Sequence, residues 1–183
     1  MKITHNHRII LLYFTVFILL SLNTVYLPVW LNEIIKLNPQ KIGLLIGLVG
    51  FLKVFSNFLI TQNIKSFRST RYVVALITFL IFISFIIISL QKNIDVTLAT
   101  YLSFFILLIF SPLLPIIENI NMSLNKDFNN SYGKLRISGS IAFCLGVFLI
   151  GFILNELGTK SFPVIYIFFS MFFLMSIFLI PNK

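Results

Sequence analysis

Charged residues cut this chain into long uncharged stretches. Ile9–Asn32, Tyr72–Gln91, Val96–Ile117, Ile137–Asn155 and Ser161–Asn182 carry no charge, and Ile42–Ile60 carries only Lys53. A hydrocarbon core of about 30 Å takes roughly 20 helical residues to cross, and lipid offers no partner for an unpaired backbone group. The pattern therefore predicts an all-α integral membrane protein. Its six transmembrane helices are expected over about 9–31, 42–60, 72–90, 97–119, 137–155 and 162–180, within one domain covering 1–183. Short polar segments near 32–41, 61–71, 91–96, 120–135 and 156–161 join them. The end of the fourth span is the least defined, because Glu118 falls there.

Composition supports the same class. Hydrophobic residues make up 58% of the chain and charged ones 10%, with a mean hydropathy of +1.03. Soluble domains do not combine so much apolar matter with so few charges. The net charge of +9 would suggest nucleic acid in a soluble protein; here it reads as basic loops on one side of a bilayer, with no nucleic-acid partner. If the N-terminus is inside, the inner segments hold Lys2, Arg8, Lys65, Arg68, Arg71, Lys126, Lys134, Arg136 and Lys183. The outer loops hold Lys36, Lys41, Lys92 and Lys160, so both termini are expected in the cytoplasm. The first span follows Lys2 and Arg8 as a signal peptide would, but its apolar run is too long and lacks a small-residue cleavage site, so it should remain as an anchor.

Little in the sequence suggests an enzyme. The lone Cys144 excludes a disulfide framework and a thiol metal site, and His5-Asn6-His7 reads as a tail rather than a metal site. No P-loop, H-E-x-x-H or Gly-rich dinucleotide turn is present, and the loops are too short to hold a catalytic domain. Neither a cofactor nor a metal is expected.

The chemistry lies in a few polar groups within the spans. An Asp, Lys or Arg at the bilayer centre costs at least ~2.5–3.5 kcal/mol on insertion scales, so each needs a partner or a wet cavity. Lys53 sits in the middle of the second span, one turn before Asn57 on the same face; it could neutralise an anion, take part in proton coupling, or pair with Glu118. Glu118 and Asn119 follow Ser111-Pro112-Leu113-Leu114-Pro115, and two prolines should kink or loosen that helix. Glu118 then either faces an interior space or lies just outside the membrane. Arg136 opens the fifth span; it could snorkel to lipid phosphates or grip a carboxylate or substrate oxygens with its planar fork. Asn23-Thr24, followed by Tyr26 and Pro28, could bond a neighbouring helix or line a substrate path. Gly43 and Gly47, and the four-residue repeat Ser138, Ala142, Gly146, read as places where helix backbones approach closely.

The run YGKLRISGSIAF, Tyr132 to Phe143, resembles the start of the fifth helix in the 3-phenylpropionate transporter family, within the major facilitator superfamily and related to the oligosaccharide–proton symporters. YFT at 13–15, IGLLIG at 42–47 and FSPLLPIIENI at 110–120 agree in order and spacing. The resemblance runs over nearly the whole chain but covers only the first half of such a transporter. It implies an N-terminal six-helix bundle of two inverted three-helix repeats, with substrate bound near the midplane between two bundles. In the related galactoside symporters a glutamate on the fourth helix and an arginine on the fifth hold the sugar, and Glu118 and Arg136 match that pair. A basic residue at the place of Lys53 is similar to the phenylpropionate branch. The expected substrate-binding set is thus Glu118, Arg136, Lys53, Asn23 and Asn119, with Glu118 the proton-coupling candidate. The expected partners are the lipid bilayer, a small solute, a proton, and a missing C-terminal half or a second copy, in a bacterial cytoplasmic membrane. One departure stands out: TQNIKSFRSTRY, at 61–72, lacks the glycine and aspartate usual in the gating loop after the second helix.

Overall fold

The computed structural model describes the backbone of residues 5–62, 67–91, 94–124 and 128–179, and the side chains there except those of 5–7, 60–62, 67–69, 121–124 and 128–132. Lys2, His5, His7, Lys65, Arg68, Lys92, Lys126 and Lys183, weighed above, lie outside the described side chains. Six helices are long and apolar enough to cross a membrane: α1 (Arg8–Glu33), α2 (Pro39–Leu59), α3 (Thr70–Ser89), α4 (Val96–Ile120), α5 (Gly133–Leu157) and α6 (Thr159–Phe178). Their ends fall within four residues of those expected from the charge pattern. The largest difference is between α4 and α5, where helix continues to Leu124 and resumes at Phe128, so most of the expected 120–135 loop is helical.

Helix α1 is the hub. It packs along α5 and α6, α3 packs on α6 and α4, and α2 leans on α4. Of its most apolar stretch 61% is buried, against 17% for α2, so α2 is the helix that the rest of the bundle covers least. The α1–α5 seam is made by small residues. A Cβ on Gly139 would lie 2.7 Å from the Phe17 ring, and one on Gly146 would lie 2.6 Å from the Ser21 hydroxyl and 3.4 Å from the Ile18 Cα. Ala142 between them is fully buried. The expected close approach is therefore present on α5, and Gly139 and Gly151 extend it. On α2 the expectation fails: Gly43 and Gly47 have no heavy atom within 4 Å of where a Cβ would stand. Their spacing marks a face that could pack closely, but no described residue packs on it.

The α1–α6 seam is antiparallel and polar at three levels. The Arg8 guanidinium donates to the Leu179 carbonyl at 3.1 Å, Thr15 and Ser176 share a 3.1 Å hydrogen bond, and the Asn23 amide donates to the Tyr166 hydroxyl at 2.8 Å. Beside the last of these, Phe85 of α3 stacks on Tyr166 at 4.0 Å, and Trp30 and Phe162 complete an aromatic cluster. Arg71 at the start of α3 donates to the Phe178 carbonyl at 2.8 Å and lies over its ring. Two guanidinium groups thus cap the carbonyl end of α6, where the helix leaves acceptors unpaired and the dipole favours cations. The starts of α1 and α3 and the end of α6 therefore share one side.

The seam predicts a contrast between glycines. Gly146→Val should cost about 1–3 kcal/mol through overpacking against the α1 backbone, whereas Gly47→Ala should be neutral or gain up to about 1 kcal/mol from better helix propensity. Melting of the detergent-solubilised chain, followed by fluorescence-detected size exclusion, checks both.

Candidate functional site

Among the described residues, α1 and α4 lose their regular ladder within the span, and both do so at proline. In α1 the run Leu22–Tyr26 is a π-helical turn, with the Leu27 amide bonding back to the Leu22 carbonyl. Pro28 follows directly and has no N–H to continue the i→i−4 pattern. Such bulges re-aim side chains. Here the bulge buries Asn23 against Tyr166, while Tyr26 donates its hydroxyl to the Val147 carbonyl of α5. In α4 the helix stops at Phe110, turns through Ser111 and Pro112, and restarts at Leu113.

Beyond that break α4 has two distinct faces. Leu113, Ile116, Ile117 and Ile120 are all 3% exposed or less, and they anchor this arm in the bundle. Pro115 and Asn119 are exposed and Glu118 is partly so. On α5, Leu135 and Gly139 face inward, which turns Arg136 and Ser140 outward. These two registers bring the Arg136 guanidinium to the Glu118 carboxylate at 2.9 Å, with the two side chains 55% and 32% exposed. Ser140 donates to the Arg136 carbonyl one turn below.

The candidates named from the sequence therefore separate. Glu118 and Arg136 meet, and Asn119 stands exposed beside them on the next position of α4. Lys53 is exposed on α2 and takes no part in the Glu118 ion pair, so the lysine–glutamate pairing considered above does not form. Asn23 is 3% exposed, and its amide points to α6 rather than to the ion pair. Its carbonyl oxygen is buried with no protein partner.

Sequence reasoning missed Ser56 and the full role of Asn57. The Ser111 hydroxyl donates to the Asn57 side-chain oxygen at 2.5 Å, and the Ser56 hydroxyl donates to the Leu108 carbonyl at 3.3 Å. The signal was available: adjacent polar residues on α2 opposite a Ser-Pro break in a neighbouring apolar span.

The pair has a clear chemical capacity. A guanidinium held by one carboxylate oxygen keeps other donors for an incoming carboxylate or hydroxyl, and a proton on Glu118 would discharge the contact. The two side chains stay 55% and 32% exposed, so the pair lies at the surface of the bundle rather than in its core.

Comparison with known proteins agrees with this architecture. The family model described as "MFS_1 like family" matches residues 7–183. A "Probable 3-phenylpropionic acid transporter" of Escherichia coli (strain K12) is 31% identical over 142 residues, which is 76% of this chain and 36% of that protein. The chain thus spans little more than a third of that relative. No solved structure matches. With a family model matched over nearly its whole length and six apolar helices to carry it through a bilayer, this multi-pass membrane protein belongs to the MFS_1 like family of the major facilitator superfamily.

Proposed function

We propose that this chain is a single-domain half of a secondary active transporter, moving a small organic solute by proton-coupled alternating access. The observation that carries the reading is the Glu118–Arg136 contact, closed at 2.9 Å yet only partly covered by the bundle. The solute class is an aromatic acid, a sugar or a nucleoside; the named relative favours the aromatic acid. Arg136 grips the solute's oxygens, Glu118 exchanges between arginine, solute and proton, and Asn119, Lys53 and Asn23 are the further polar candidates. The other wall comes from a C-terminal half or a second copy, in a bacterial cytoplasmic membrane with both termini inside.

A second reading has an observation of its own. Glu118 and Arg136 satisfy each other, as they would in a six-helix protein, or an inactive fragment of a split gene, that transports nothing. Uptake decides between them. In vesicles from cells expressing the chain with its neighbouring genes, Glu118→Gln or Arg136→Ala should reduce 3-phenylpropionate uptake to background, with the protein still inserted and expressed. Normal uptake by both variants would reject the clamp.

The orientation is tested separately. In a Cys144→Ser background, an impermeant maleimide applied to right-side-out spheroplasts should label Lys160→Cys and leave Lys134→Cys unlabelled. The reverse pattern would invert the topology.

A further inference from the structure

The break in α4 leaves a definite deficit. In an unbroken helix the amide at position 112 would donate to the carbonyl of Leu108, four residues back; Pro112 has no such hydrogen. In a bilayer no water replaces it, so the carbonyl must find a protein donor. It finds the Ser56 hydroxyl of α2, at 3.3 Å. The next residue of α2, Asn57, accepts from the hydroxyl of Ser111, the residue immediately before the proline. Two adjacent side chains of one helix thus bond the last turn before the break in another and the residue that enters it, and Ser56, Asn57 and Ser111 are all half-buried.

What hangs from the break is the arm carrying Glu118. Glu118 lies seven residues beyond Ser111, two turns along α4, with Pro115 between them. A helix that has lost ladder bonds at a proline bends about that point, so the direction of the bend sets where the Glu118 carboxylate stands relative to α5. The α2 partner is itself the least enclosed helix of the bundle, and it carries Lys53 one turn before Asn57.

We infer that Ser56 and Asn57 are positioning residues: by completing the hydrogen bonding at the Ser111–Pro112 break they fix the bend of α4 and so the meeting of Glu118 with Arg136. This rests on the reading of that pair as the solute clamp. It adds that α2 acts on the clamp through α4, without touching it. A shift of α2 along its axis would strip the Leu108 carbonyl and the Ser111 hydroxyl of their partners together, which makes the bend of α4 answer to the position of α2.

The test reads the bend directly. In a Cys144→Ser background, spin labels at Tyr72→Cys and Asn119→Cys, both exposed residues, report the distance between the start of α3 and the inner arm of α4 in reconstituted full-length chain. Ser56→Ala and Asn57→Leu should broaden the distance distribution and move its mean by several ångströms, while Ser56→Thr, which keeps the hydroxyl, should restore it. Pro112→Ala returns the missing amide hydrogen, so adding Ser56→Ala to it should change nothing further. An unchanged distribution in both single variants, or equal effects of Ser56→Ala with and without Pro112, overturns the inference. The readout needs no transport: if the clamp variants retain uptake while Ser56→Ala still spreads the distances, the clamp falls and the bend control stands.

Discussion

The organising constraint is that a helix in hydrocarbon cannot leave a backbone carbonyl without a donor. Most of this chain meets it trivially, by running unbroken helix through long uncharged segments. Where proline interrupts an apolar span it must be met by side chains, and those are the places where polar residues gather. Pro28 is preceded by the π-turn holding Asn23 and Tyr26, and Pro112 is served from Ser56 and Asn57. Pro163, at the first turn of its helix, needs no such help because the amide it lacks would have had no partner there. Polar side chains thus gather near Pro28 and Pro112, while Thr15–Ser176 and the arginines at the end of α6 lie away from any such break.

The magnitudes separate scaffold from site. The α1–α5 seam depends on Gly139 and Gly146, where a single added methyl group would meet the Phe17 ring or the Ser21 hydroxyl, and on the fully buried Ala142 between them. Forced overpacking of that kind costs about 1–3 kcal/mol. The Glu118–Arg136 pair, by contrast, lies partly exposed at the surface of the bundle. Leu113, Ile116, Ile117 and Ile120, not this pair, anchor the second arm of α4 in the core.

The fold was legible because bilayer thickness and charge cost act on sequence directly. Charge-free runs of about 20 residues can hardly be anything else in this composition. The Glu118–Arg136 pair was legible only in part. Spacing put a carboxylate at one helix end and a guanidinium at the next helix start, but which faces they shared depended on the break at Ser111–Pro112. Asn23 was open between a bond to a neighbouring helix and a place on a substrate path, and the π-turn buries it against Tyr166 of α6, the first of the two. Gly43 and Gly47 carry the same letters as the α5 stripe, yet nothing described covers them. A small-residue pattern specifies how closely a neighbour could come, not whether one is there.

Helix α2 draws these strands together. It is the least covered of the six, with Leu44, Leu48, Phe51, Val54, Phe55 and Phe58 all exposed. Exposure of that kind is comfortable in lipid, so apolar surface alone says nothing about a partner. What distinguishes α2 is that its one packed flank is tied by polar side chains to the broken helix, while Lys53 and the bare glycines lie off that flank. Its buried residues Ile42, Leu45 and Val49 and its two hydrogen bonds to α4 lie along one flank, whereas α1 is wedged between α5 and α6. If the bundle has a moving part, the packing puts it at α2, and the break in α4 is what carries that movement to Glu118.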